Sequence, residues 1–306
     1  MPVSTPASFC AAMVEPDSSP GRPATGSSRI DGPPVDASTL RRLLRHPTGM
    51  VGLVGTIAIV GIGLSAPLLA PNKPFATVAP PLVPPSRAFP MGSDALGHDL
   101  YSQVIHGARS SLLIAAVVSV LVLAIGTTVG LVAGSARSWI DDALMRSAEV
   151  VQIIPRFFLA LLVSAMFGPG TIRLALLLGL TSWPTLARIV RAETQSLIER
   201  DFVTSARSLG ASRSRVLTHE ILPNVVPTTF AYLGLVVAQA LLVEAGIGFL
   251  GLGDPNTVSW GQLAGEAQRF LRVAWWLPVF PGACIALTVL SLNLLGDALS
   301  DVIIRR

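Results

Sequence analysis

Apolar residues fall in long blocks along this chain, separated by polar or proline-rich intervals. The first block, Met50–Ala70, has about the twenty residues that a helix needs to cross bilayer hydrocarbon. Further blocks occupy Leu112–Ala133, Ala148–Phe167, Ile172–Leu186, Val226–Leu250 and Leu277–Leu295, so the pattern predicts six transmembrane helices. One long polar interval, 187–227, separates the fourth from the fifth. It carries Arg188, Arg191, Arg200, Arg207, Arg213 and Arg215 with four acids among them. Within it Leu197, Phe202, Val203, Ala206 and Leu209 keep a near-helical beat and are expected on one face. Gly210 is placed to end that helix, because a left-handed residue costs least at glycine. A second short helix with Val216, Leu217, Ile221 and Leu222 is expected to close at Pro223. The interval therefore reads as a hairpin of two amphipathic helices, suited to a partner that pushes on it.

The connecting stretches add detail. Residues 71–90 hold seven prolines and predict an irregular loop. Asp94, Asp99 and Arg109 are expected on a short interfacial helix leading into the second span. Gly126, Gly130 and Gly134 recur every four residues, a stripe that lets a neighbouring helix approach closely. Ser135–Arg146 reads as a short loop, and the glycine–proline–glycine run at 168–170 as a turn. In the outer segment Gly251–Trp276, the pair Trp275–Trp276 is a candidate interfacial anchor. Pro155 and Pro184 are candidate kinks. Residues 1–38 are rich in Pro, Ser and Gly, with no basic segment ahead of an apolar one, and are expected to be a disordered tail rather than a signal peptide.

Composition narrows the class. The 306 residues are 51% hydrophobic and 13% charged, against roughly a quarter charged in soluble domains, so an integral membrane protein is expected. The net charge of +4 does not argue for nucleic acid, because basic residues gathered in cytoplasmic loops produce the same total. With six spans and both termini inside, Arg41, Arg42, Arg45, Arg137, Arg146, the six hairpin arginines, Arg305 and Arg306 fall inside. Lys73, Arg87, Arg109, Arg173, Arg269 and Arg272 fall outside, and that asymmetry places the hairpin in the cytoplasm. Cys10 and Cys284 lie in unlike contexts, so neither a disulfide nor a metal site is expected. Lys73 is the sole lysine and sits in PNKP, which leaves no phosphate-binding Walker loop. His98 and His106, eight apart beside Asp94 and Asp99, do not share a helical face and are expected as polar side chains on the surface rather than metal ligands. No nucleophile–base arrangement stands out, so no catalytic residue is assigned.

The hairpin carries a resemblance. SARSLG, followed at a distance by ILP, is similar to the signature loop of importer permeases driven by ATP-binding cassettes, EAA-x3-G-x9-I-x-L-P. Thr204, Ser205 and Ala206 stand at the leading positions, Gly210 at the glycine, Glu220 at the isoleucine, and Leu222 and Pro223 at the end. RHPTGMVGLVG, GSDALGHDLYSQVIHGARSSL, DDALMRSAEVVQIIP, EAGIGFLGLG, SWG and NLLGDALSD resemble, in order over about residues 41–302, the second permease subunit of dipeptide, oligopeptide or nickel importers. This chain departs from that pattern with His98 in place of an arginine, with Arg156 after Pro155, and in lacking an Asp-Pro-Arg ending.

The resemblance implies an all-α type I importer permease in a bacterial inner membrane. It implies a disordered cytoplasmic tail over 1–40, a first helix and outer loop over 41–107, a five-helix core over 108–302, and a coupling loop over 187–225. Partners would be a homologous second permease in a heterodimer, two cytoplasmic ATPase subunits that hold the ATP and magnesium, a substrate-binding protein outside, and lipid. Thr204, Ser205, Ala206, Arg207, Gly210, Leu222 and Pro223 would couple to the ATPase. Asp94, His98 and Asp99 would meet the binding protein. Arg156, Glu149 and Glu244 are charges in or near apolar spans and candidates for the substrate path. Glu149 and Arg156 are seven apart and so expected on one face, while Glu149 and Glu244 match acidic family positions and lean towards a structural role. Peptides are the expected cargo, with nickel or glutathione as alternatives within the same machine. A stand-alone secondary transporter would need an inverted repeat, and none is apparent between the halves.

Overall fold

The computed structural model describes residues 47–136 and 138–304. The tail 1–38, Cys10, Arg41, Arg42, Arg45, Arg137, Arg305 and Arg306 lie outside the described residues. Those described are helical, apart from loops and two isolated bridges, Thr77 with His98 and Ser93 with Asp99. The order is α1 (Pro47–Leu64), α2 (Ala66–Leu69), α3 (Leu100–Ser135), α4 (Ser138–Ile153), α5 (Arg156–Phe167), α6 (Thr171–Ile198), α7 (Asp201–Ser208), α8 (Arg213–Arg215), a π-helical stretch (Val216–Ile221), α9 (Leu222–Phe249), α10 (Trp260–Ala267) and α11 (Trp276–Ile304).

Among the described residues four helices are long and apolar enough to cross a membrane: Pro47–Leu64, Leu100–Ser135, the continuous run Arg213–Phe249 and Trp276–Asp301. The pair α4–α5 makes a fifth if it is counted as one span. The remaining apolar block falls in α6, which runs on past Leu186 through Arg188 and Arg191. That helix is enclosed by protein along Leu174, Leu178, Leu186, Ala187 and Val190. A helix that meets few lipid tails has less need to be apolar all round.

Several expected boundaries shift. The second span and the interfacial helix before it are one 36-residue helix, α3. Asp94 lies in the loop ahead of it and Asp99 is its N-cap, accepting from the backbone N–H of Tyr101 and Ser102. The third span is not one helix: α4 and α5 meet at 65°. Pro155 causes this, since it has no N–H to donate and forces the residue before it out of the helical region. The expected loop at 135–146 is mostly the first turns of α4. Pro184, by contrast, stands inside α6 as one helix. At 168–170 the expected turn is present, with Gly168 at φ +78° and Arg173 donating to the carbonyls of Phe167 and Gly168.

Small residues set the packing. A Cβ added at Gly126 would lie 3.0 Å from the Leu186 side chain, and at Gly130 2.5 Å from Val190 Cβ. At Gly134 it would lie 2.7 Å from the Arg191 carbonyl. The expected stripe is thus the seam between α3 and α6, which run parallel along it. A Cβ at Gly52 would lie 2.5 Å from the backbone of Leu295, which lays α1 antiparallel along α11. Gly234 and Gly296 bring α9 and α11 together in the same way.

Candidate functional site

The hairpin begins where α6 ends. Arg200 takes an extended conformation and breaks the helix axis. α7 closes at the expected glycine: Gly210 has φ +84°, its N–H bonds the Arg207 carbonyl at 3.0 Å, and the Ala211 N–H bonds the Ala206 carbonyl at 3.0 Å. These two bonds form the Schellman closure that a left-handed residue makes possible. Ser212 then caps α8 by accepting from the Arg215 N–H.

The second helix does not close at Pro223. It passes through the π-helical stretch and continues as α9, with Pro223 in that helix's first turn. Inside this continuous run the proline gives up one backbone hydrogen bond. A wider turn just before it relieves the ring's clash with the preceding carbonyls. The hairpin is therefore rigidly joined to a helix that reaches Phe249.

Its faces differ from the expected pattern. Leu197, Val203, Val216, Ile221 and Val225 are buried and belong to one apolar cluster that also contains Val190, Leu186, Leu178, Val122, Val118 and Ile114. Ala206 and Leu217 pack against that cluster. Leu209 instead is 89% exposed and Phe202 is exposed with it. Two apolar side chains thus stand exposed beside Thr204, Ser205 and Arg207. Leu209 lies beyond α7 on its C-cap, and Phe202 precedes buried Val203 by one residue, about 100° round the helix, so neither shares the buried direction.

The remaining candidates are scattered. Glu149 is exposed near the end of α4, whereas Arg156 begins α5 and donates to Ser182 Oγ at 3.2 Å, so the bend removes their shared face. Glu244 is buried in α9 beside Ser259. His98 does not lie on the surface: it is buried and its Nδ1 lies 2.7 Å from Asp94. Gln103 Nε2 joins the same carboxylate at 3.1 Å. Asp99 is buried too, bonded by Ser102 Oγ at 2.6 Å and Asn72. These three residues staple the loop 71–99 onto α3. Of the tryptophan pair only Trp275 is exposed, while Trp276 is buried and its Nε1–H reaches the Ser93 carbonyl at 3.2 Å.

Two polar links have no local signal in the sequence. Arg191 of α6 donates to both oxygens of Asp141 of α4 at 2.5 Å, tying the helices together near the hairpin. At the opposite end Asp254 accepts from the Thr171 N–H at 3.2 Å and caps α6 from 83 residues away. Burial pushes the Asp254 carboxyl up, but the backbone N–H groups of Asn256 and Thr171 and their side chains outweigh it and hold it below 3.8. A carboxylate lowered by folding contributes stability above its unfolded value and loses it as pH falls through the folded one. The melting-temperature gap between the parent and Asp254→Asn is therefore expected to be steady at neutral pH and to close below pH 3.8.

Comparison with known proteins decides the family. Residues 126–306, more than half of the chain, match the binding-protein-dependent transport system inner membrane component. The chain belongs to that family. Residues 37–85 of this inner-membrane component also match the N-terminal transmembrane domain of oligopeptide transport permease C. A Brucella abortus protein named as a peptide transport system permease is 38% identical over 87% of this chain and 90% of its own length. The di/tripeptide transport system permease protein of Pseudomonas aeruginosa is 36% identical over 84% and 88%. The dipeptide transport system permease protein of Alkalihalophilus pseudofirmus is 32% identical over 86% and 87%. The chain is thus an integral inner-membrane transport subunit.

Proposed function

We propose that this subunit forms half of the translocation pathway of an ATP-driven importer of di- and oligopeptides. The other half is a homologous permease, two ATPase subunits bind below, and a substrate-binding protein delivers cargo above. The carrying observation is the single buried cluster that joins the hairpin's Val203, Val216 and Ile221 to Val190, Leu186, Val122 and Ile114 between the long helices. Close-packed side chains transmit displacement because they are poorly compressible. Exposed Leu209, Phe202, Thr204, Ser205 and Arg207 form the face on which the ATPase pushes, Ala206 packs behind it, and Leu222 and Pro223 start the helix that carries the motion.

In this reading the chain crosses the membrane six times, with α1, α3, the bent pair α4–α5, α6, α9 and α11, and both termini are cytoplasmic. Residues 41–107 are the first helix and outer loop, 108–302 the five-helix permease core, and 187–225 the coupling loop. Cargo follows from the named relatives. Asp94, His98 and Asp99 shape the outer loop for the binding protein without presenting their own side chains, and Glu244 positions α9 against α10 through Ser259. Arg156 at the bend is the substrate-path candidate. Arg156→Glu is expected to change the range of peptides taken up while assembly, read by co-purification of the partner subunits, stays intact. An unchanged peptide range removes that role.

The test of the whole reading is reconstitution. Proteoliposomes holding both permeases and the ATPase subunits, supplied with the binding protein, are expected to accumulate dipeptides only with ATP. Vesicles holding this chain alone are expected to accumulate none. Uptake by the chain alone overturns the proposal.

A further inference from the structure

Arg191 of α6 and Asp141 of α4 meet where the two helices run antiparallel. The guanidinium engages the carboxylate as a fork, Nε to Oδ1 and Nη2 to Oδ2, each at 2.5 Å. Asp141 is buried and Arg191 half-buried, so the fork is partly shielded from water. Among the described residues it is the only pairing of an arginine with a carboxylate. Further along the same seam Gln152 Nε2 donates to Thr185 Oγ1 at 3.0 Å and Arg156 to Ser182 Oγ at 3.2 Å, each a single bond to a hydroxyl. Between the fork and these bonds, Ala148 packs with Ala187 and Trp183.

The fork stands between a bend and the hairpin. From Arg191 the helix α6 runs unbroken to Ile198, just before the axis breaks at Arg200. On the other side, α4 runs from Asp141 to Ile153, a lever about 18 Å long. That lever ends at the 65° bend, where Pro155 leaves a backbone hydrogen bond unmade and the axis is free to turn. α3 and α6 hold α4 from one side only, through Ile125, Val129, Trp183 and Ala187. On the other side Val150, Ile153, Phe157 and Phe158 are exposed, so nothing among the described residues opposes a swing there.

We propose that Arg191 and Asp141 form the strut through which displacement of the hairpin reaches the bent pair α4–α5, which makes them positioning residues for import. The proposal rests on the reading above that the ATPase pushes on the hairpin, and it adds how that push leaves α6. Two parallel bonds fix orientation as well as distance, so a shift or turn of α6 is passed to the inner end of α4. Pro155 is the pivot, and Arg156 beyond it moves with the lever. The small side chains at Ala148 and Ala187 let the helices slide, and single bonds to hydroxyls leave orientation loose. The fork alone sets the angle. A lysine at 191 would keep the charge but act as a point contact on a flexible stem.

The test is the amount of alanyl-alanine taken up per ATP hydrolysed, in proteoliposomes holding both permeases and the ATPase subunits and supplied with the binding protein. Arg191→Lys keeps the charge and loses the fork, whereas Asp141→Asn keeps the shape and turns one acceptor into a donor. Each is expected to lower uptake per ATP about tenfold, the scale of one lost charge-assisted bond, with hydrolysis within about twofold of the parent. A purely structural pair would lower both in proportion to the complex assembled and leave their ratio unchanged. The double variant should match the single ones, because two halves of one strut are lost together. A parent-like ratio in both variants, or a double variant whose losses multiply, overturns the strut. Failure of both variants to co-purify with their partner subunits assigns the pair to folding alone and overturns it too. If the parent accumulates dipeptide with ATP and the variants keep its ratio, the strut falls and the importer reading stands; if the parent accumulates none, both fall.

Discussion

Replacing Gly210 with valine is expected to reduce ATP-driven uptake at least tenfold while the protein still inserts and purifies with its partners. Gly210 holds φ +84°, and a non-glycine residue pays about 1–2 kcal/mol there, more when β-branched. The chain can relieve that strain by unwinding the cap, which gives up the bonds from Gly210 to Arg207 and from Ala211 to Ala206. A penalty of that size corresponds to roughly tenfold or more in the population of the docked hairpin. Nothing lies within 4 Å of a Cβ built at this position, so the substitution meets open space and leaves the buried face of α7 alone. Asparagine tolerates the left-handed region better than valine, so Gly210→Asn should retain more uptake. The pair of variants separates backbone strain from loss of a side-chain contact. Parent-like uptake in Gly210→Val would remove the hairpin's mechanical role.

The second large effect concerns the seam between α3 and α6. Gly130→Leu is expected to destabilise the protein by about 3 kcal/mol, the upper end of the usual range for overpacking. The new Cβ would fall 2.5 Å from Val190 Cβ and 2.7 Å from the Ala187 carbonyl oxygen. Backbone cannot step aside as a flexible side-chain end can, so the helices would have to separate along Gly126 and Gly134 as well. A loss of that size is a large share of the 5–15 kcal/mol available to a folded domain. It should appear as a depressed melting temperature in detergent and a reduced yield of monodisperse protein. Gly61→Leu is the matched control, because nothing lies within 4 Å of a Cβ built there. Equal melting temperatures for the two variants would mean that the seam is not closely packed in solution.

The signals that could be read along the chain were local ones. Gly210 as a helix end, the stripe Gly126–Gly130–Gly134, the turn at 168–170 and most apolar blocks each depend on a residue type and its near neighbours. The misreadings share a cause as well. Spacing puts Leu209 on the buried face, yet the helix that would set its direction ends one residue earlier. Counting residues puts Glu149 and Arg156 on one face only by running across Pro155, where the helix axis turns. Residue type alone makes Pro223 a stop, yet the helical run continues through it because the wider π-helical turn before it makes room for the ring.

The order of residues alone determined the class of molecule and the place of its hinge points. The apolar blocks must leave water, and glycine and proline limit backbone dihedrals wherever they occur. Only the tertiary structure decided which polar groups meet: Asp254 on Thr171, Asp141 on Arg191 and Trp276 on Ser93. These contacts join residues tens of positions apart. Their existence depends on how whole helices are laid against one another, which no local propensity encodes.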